Sequence, residues 1–168
     1  LDLGGSILGA QRVTAEAVVV DIRRGNLVVG ETQLAKWQKQ IQDFMQHEAT
    51  VRERLLQGLD WDRSSGGELT LSPGLEVQAT GKLSLETDWD LTSWRSGNAV
   101  GTLTLRAGGD LSVNASLVDH PTLLSALPGS AGGDSWSFSL VAGSDLASAD
   151  PLATLMGKGN LSLAGGKM

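Results

Sequence analysis

Apolar and polar positions alternate in short bursts along most of this chain, and the bursts share one phrase, Gly-x-Leu-x-Leu/Val. It occurs at Gly67-Glu68-Leu69-Thr70-Leu71, Gly81-Lys82-Leu83-Ser84-Leu85, Gly101-Thr102-Leu103-Thr104-Leu105, Gly109-Asp110-Leu111-Ser112-Val113 and Gly159-Asn160-Leu161-Ser162-Leu163. A two-residue period puts both apolar side chains on one face of a strand and the polar ones on the other. Several copies return after 20 residues, as from Leu71 to Leu91 to Leu111 and from Leu83 to Leu103. A fixed return of that size predicts stacked repeats, each burying its apolar side against the next. The expected fold is therefore mainly β: a parallel β-helix (solenoid) of about 20 residues per coil, with Gly at the corners. An antiparallel sandwich of short strands is the competing architecture.

The first third of the chain departs from the phrase. Val18, Val20 and Ile22 share one strand face, Arg23-Arg24-Gly25-Asn26 turns, and Leu27 and Val29 resume. The period then changes. Leu34, Trp37, Ile41, Phe44, Glu48, Val51 and Leu55 follow a three-four spacing that predicts one long amphipathic α-helix, inserted over residues 31–57. Thr32 is its expected N-cap and Gly58 its C′ residue. The whole chain, 1–168, reads as one β segment carrying that insertion. The helical stripe packs on the strands or pairs two chains as an assembly module, and Glu48 in its middle weighs against a long dry coiled coil.

Two stretches break the strand pattern and are expected as excursions. One is His120 to Gly129, with Pro121 and Pro128. The other is Asp145 to Lys158, where Asp150-Pro151 starts a turn.

Composition agrees with stacked short strands. Among 168 residues there are 22 Gly, 2 Phe and no Tyr. No Cys is present, so disulfides and cysteine-based zinc sites are excluded. The formal net charge is −6, and from Ala107 to Gly157 there is no Lys or Arg against five Asp. Such a surface repels phosphate backbones, so nucleic acid is not an expected partner. No segment has the length and apolarity of a membrane-spanning helix. The first residues show no signal-peptide pattern, and both ends fall within repeat-like phrases, as expected of a piece of a larger protein.

Three further phrases carry a resemblance. Gly101-Thr102-Leu103-Thr104-Leu105-Arg106-Ala107-Gly108-Gly109-Asp110-Leu111, Gly133-Asp134-Ser135-Trp136-Ser137-Phe138 and the run Val141 to Asp150 resemble the filamentous haemagglutinin family of large secreted exoproteins. Gly25-Asn26-Leu27-Val28-Val29 fits the same style. The resemblance implies two-partner secretion through an outer-membrane transporter and a place at the bacterial cell surface or in the medium. It also implies a role in adhesion, biofilm or cell–cell contact, with a surface receptor or glycan as partner. No match to the family's secretion-recognition motifs is seen, so an internal or C-terminal segment is implied.

Candidate chemistry is sparse. Asp60-Trp61-Asp62 and Asp88-Trp89-Asp90 are the most pointed motifs. On a strand, Asp88 and Asp90 share an outward face about 6.6 Å apart, near the spacing of inverting glycosidase carboxylates. A carbohydrate-active enzyme or a glycan-binding module using Asp88 and Asp90 is therefore the alternative to a non-enzymatic display segment. Trp94 and Trp61 are candidate sugar-stacking residues, and Arg95 is the nearby cation. His47 and His120 sit in no catalytic motif. Gly108-Gly109-Asp110 and Gly132-Gly133-Asp134 lack the tandem pattern of calcium-binding nonapeptides. No metal or cofactor is expected.

Overall fold

The computed structural model describes residues 5–61, 67–95, 99–119 and 135–164. The chain opens with β1 (Gly5–Ile7), β2 (Arg12–Arg23) and β3 (Leu27–Val29), then α1 (Glu31–Met45) and α2 (Glu48–Gly58). Next come β4 (Leu59–Trp61), β5 (Glu68–Ala79), β6 (Leu83–Leu85), β7 (Trp89–Asp90) and a 3-10 turn (Leu91–Trp94). They are followed by β8 (Thr102–Ala107), β9 (Leu111–Val113), β10 (Leu117–Val118), β11 (Ser137–Ala142) and β12 (Leu161–Leu163).

All strand pairs among these elements are parallel. They form four separate sheets: β11-β8-β5-β2, β12-β9-β6-β3, β10-β7 and β1-β4. The expectation of a β-helix solenoid with 20 residues per coil is overturned by this pairing. Leu75 pairs with Leu103 and Leu83 with Leu111, 28 positions on. The first partners are twice as far apart, as in Leu27 with Leu83, and the last are 35 and 50 apart. The 20-residue returns have a plain origin. Leu83 and Leu103 belong to two different sheets, so their spacing joins neighbouring phrases and not stacked ones. An antiparallel sandwich is excluded by the same pairing; among the described residues the antiparallel contact is an isolated bridge, Ser144 with Thr154.

Buried side chains follow the register. Leu75 and Leu103, Val77 and Leu105, and Ala79 and Ala107 stand side by side within one sheet, and all are buried. Leu27, Leu83 and Leu111 do so in the next, with Val29, Leu85 and Val113 beside them. Burying a Leu or Val side chain contributes about 1.5–3 kcal/mol, so these rows carry much of the fold. Val18, Val20 and Ile22 do share a face, but it is the solvent face. Val19, Asp21 and Arg23 occupy the inner positions, in register with Leu75, Val77 and Ala79.

The corners are built from glycine and a polar residue. Gly81 N–H donates to Gly25 O at 2.8 Å, Gly109 N–H to Gly81 O at 2.9 Å, and Gly143 N–H to Gly109 O at 2.9 Å. The backbones approach so closely that a Cβ on Gly81 would lie 2.9 Å from the Gly25 carbonyl carbon. Just past each corner a polar side chain ties two strands together. Asn26 Oδ1 accepts from Lys82 N–H at 2.9 Å, Lys82 Nζ lies 2.7 Å from Asp110, and Asp110 accepts from Asn160 N–H at 3.1 Å.

The single long helix is also corrected. The run breaks at Gln46 and His47 into α1 and α2, of 15 and 11 residues. His47 N–H bonds Phe44 O, tightening the last turn, and its Nδ1 lies 2.9 Å from Asp43 O. The break has a physical reason. A straight helix would carry Glu48 on the apolar stripe, whereas here Glu48 opens α2, where a carboxylate suits the helix N-terminus. It lies 4.0 Å from Arg52. Trp37, Ile41 and Met45 are buried in the main core, and Leu55 in a second cluster with Leu69 and Leu71. Gly30, not Thr32, is the N-cap, its N–H donating to Gln33 Oε1 at 3.3 Å. Gly58 is the last helical residue and not a C′ residue.

Candidate functional site

Asp88 and Asp90 flank Trp89 on β7, with both carboxylates exposed and the indole buried. Each carboxylate holds a backbone amide. Asp88 Oδ1 accepts from Ser116 N–H at 2.8 Å on the neighbouring strand segment, and Asp90 Oδ1 caps the 3-10 turn by accepting from Thr92 N–H at 2.9 Å. Arg95 pairs with Asp119, and both side chains are almost wholly enclosed. Asp119 also accepts from Trp136 N–H at 2.7 Å.

Trp94 is 4 % exposed and packs on Trp89, which in turn stacks on Trp37 of α1. Ring centroids are 5.8 Å apart for Trp37 and Trp89, and 5.3 Å for Trp89 and Trp94. Three of the five tryptophans thus form one column fastening the helix to the strands. Of the other triplet, Asp60 accepts from Ser6 Oγ at 3.1 Å, while Asp62 lies outside the described residues. So do His120, Pro121, Pro128 and the run Gly132-Gly133-Asp134.

Two clefts open beside α1. The smaller, about 190 Å³, lies between Ile41, Gln42, Met45 and Gln46 on one side and Trp94 and Arg95 on the other. The larger, about 300 Å³, is apolar. Ala15, Ala17 and Val19 of β2 form one wall, and Phe44, Val51 and Leu55 of the helices form the other. Ala15 and Ala17 create it by being small where the register partners are Leu71 and Pro73. At 300 Å³ it reaches the lower bound of a small-molecule site.

Two polar clusters were not visible in sequence. Asp21, on an inner position of β2, accepts from Trp37 Nε1 at 2.7 Å and from Arg23 Nη2 at 2.9 Å, with Lys36 Nζ at 3.7 Å. Burial pushes its carboxyl upward, but the Trp37 and Arg23 hydrogen bonds and the Arg23 and Lys36 charges outweigh it and hold Asp21 below the ordinary 3.8. Arg106 points to the outer face of β8 and is buried there nonetheless. The excursion after β11 folds over it: Arg106 donates to Ser144 Oγ at 3.0 Å, Asp145 O at 3.1 Å and Glu76 Oε1 at 3.1 Å. At the corner, the hydrogen bond to Asp110 raises Lys82, and the bond from Lys82, then that from Asn160 N–H, lowers Asp110. The sequence signal for the corner was a polar residue between each Gly and its Leu.

Among the described residues, no group of three or more His, Asp or Glu side chains is arranged to hold a metal ion, and no helix is long and apolar enough to cross a membrane. No family model, curated protein or solved structure matches the chain. The likeness to filamentous haemagglutinin exoproteins therefore stands on the residue phrases alone.

Proposed function

We propose that this chain is a non-enzymatic structural and display segment of a secreted, adhesin-like bacterial exoprotein. One observation carries the reading. Successive parallel strands bury the inner residues of β5 and β8 and turn polar ones to the outer face, Thr104 beside Glu76 and then Ser137 and Ser139 beside Thr102 and Thr104. Such a scaffold holds a polar surface rigidly, and its register leaves outer positions free to vary without cost to the core. Asp88 and Asp90 serve it as hydrogen-bond acceptors for backbone amides. The polypeptide phrases that resemble secreted exoproteins supply the location and the kind of partner, a surface receptor or glycan.

The test pairs binding with hydrolysis. Immobilised protein is exposed to bacterial and epithelial cells, and soluble protein to a panel of neutral and acidic polysaccharides. Saturable cell binding is expected, equal for the wild type and an Asp88→Asn/Asp90→Asn double variant, with no new reducing ends. Release of reducing ends by the wild type, lost in the double variant, would replace this reading with a carbohydrate-active one.

A further inference from the structure

The sheet β11-β8-β5-β2 ends in two strands paired on one side alone among the described residues. These edges are complementary. Arg23 O and Gln11 O accept from amides on the β5 side. Alternation along a strand then turns the N–H and C=O of Val18, Val20 and Ile22 to the unpaired side. On β11, Ser137 N–H donates toward β8, so the N–H and C=O of Phe138 and Leu140 face outward from the sheet.

The side chains have the matching phase. Val18 and Val20 lie on the outer face of β2, and Ser137 and Ser139 on the outer face of β11; Val19 and Phe138 are the inner residues of the same register row. Leu75 and Leu103, in the middle of that row, are buried, whereas Phe138 is 42 % exposed. The apolar cleft opens next to Val19 and Ala17. Charge complements charge as well. Exposed Arg24 follows β2, and Asp145 follows β11 at the equivalent end.

We propose that two copies of this chain join head to tail, β11 of one adding in parallel to β2 of the next. Phe138 then sits beside Val19 at the mouth of the cleft, and Arg24 faces Asp145. The partner is a second copy because one stagger satisfies edge, face and charge together. Pairing β11 with β11, or β2 with β2, would bring neither Asp145 nor Arg24 opposite the other. The contact is heterologous, so it adds units one after another, into a filament or, where the rotation per step closes, a ring. It does not depend on the display function.

Sedimentation over about 10–500 µM, the range in which a weak contact becomes populated, should show a rising weight-average mass. Val20→Pro removes an outward amide that no strand pair among the described residues uses, Val18→Lys places charge on the same edge, and Phe138→Lys blocks the other edge. Each variant alone should remain monomeric with an unchanged circular dichroism spectrum. Mixing Val20→Pro or Val18→Lys with Phe138→Lys should restore a dimer and nothing larger, since each supplies the edge the other lacks. A wild type monomeric throughout overturns the proposal. So does self-association of any folded variant at wild-type strength, which would point to like edges pairing, or a mixture that stays monomeric.

Discussion

Asp21 shows how one polar side chain can fasten a helix to a sheet. It stands where Val77 and Leu105 stand on neighbouring strands, so its carboxylate would be costly there without partners. Trp37 Nε1 and the Arg23 guanidinium provide them. Asp21→Asn keeps an acceptor for the indole and loses the charge pairing, at a cost of about 1.5–3 kcal/mol for a hydrogen bond to a charged group. The folded-state carboxyl titrates below its ordinary value of 3.8. Its contribution is therefore present above that pH and is lost as pH falls through the lower folded value. Urea midpoints of wild type and Asp21→Asn should differ most near neutrality and converge in strong acid. Nothing in the sequence marked Asp21: alternation placed it opposite the valine face, and that face was the outer one.

At the scale of elements, the sequence was legible where periodicity and a physical need coincided. The turn at Gly25-Asn26, the strands at 83–85, 102–107 and 111–113, and the presence of helix after Gly30 all followed from pattern. The continuous helix did not hold, because a three-four spacing extends across a break as readily as along a straight rod. Glu48 was the sign of the break. The two Asp of the second triplet were correctly placed at the surface around a buried Trp89, but their backbone partners on other segments could not be read from spacing. Nor could the burial of Trp94, which depends on α1 returning to meet the 3-10 turn. Trp37→Ala removes a wholly buried indole from that meeting and should cost about 3–5 kcal/mol. Guanidinium unfolding followed by far-ultraviolet circular dichroism would measure it.

Over the whole molecule, the same phrase has different weight according to its place. Leu111 is fully buried between Leu83 and Leu161, whereas Leu161 itself lies on the last strand and is 48 % exposed. Leu111→Ala should cost about 2–5 kcal/mol, and Leu161→Ala well under half as much, since little is enclosed there to lose. Thermal melts of the two variants would show the difference. The sequence offered these leucines as equals because a repeat reports how often a motif occurs and not how many neighbours cover it. The return length was misread for a related reason. Two sheets use one phrase, and their interleaving produced a regular spacing that belongs to neither.

The three neighbouring indoles have an optical consequence. Trp37, Trp89 and Trp94 come from α1, β7 and the turn that follows, and their rings are close enough for their electronic transitions to couple. The near-ultraviolet spectrum of this chain should thus carry a signature that depends on the helix being seated. Its disappearance ahead of the amide signal would reveal a state in which the strands persist and the helix has swung free.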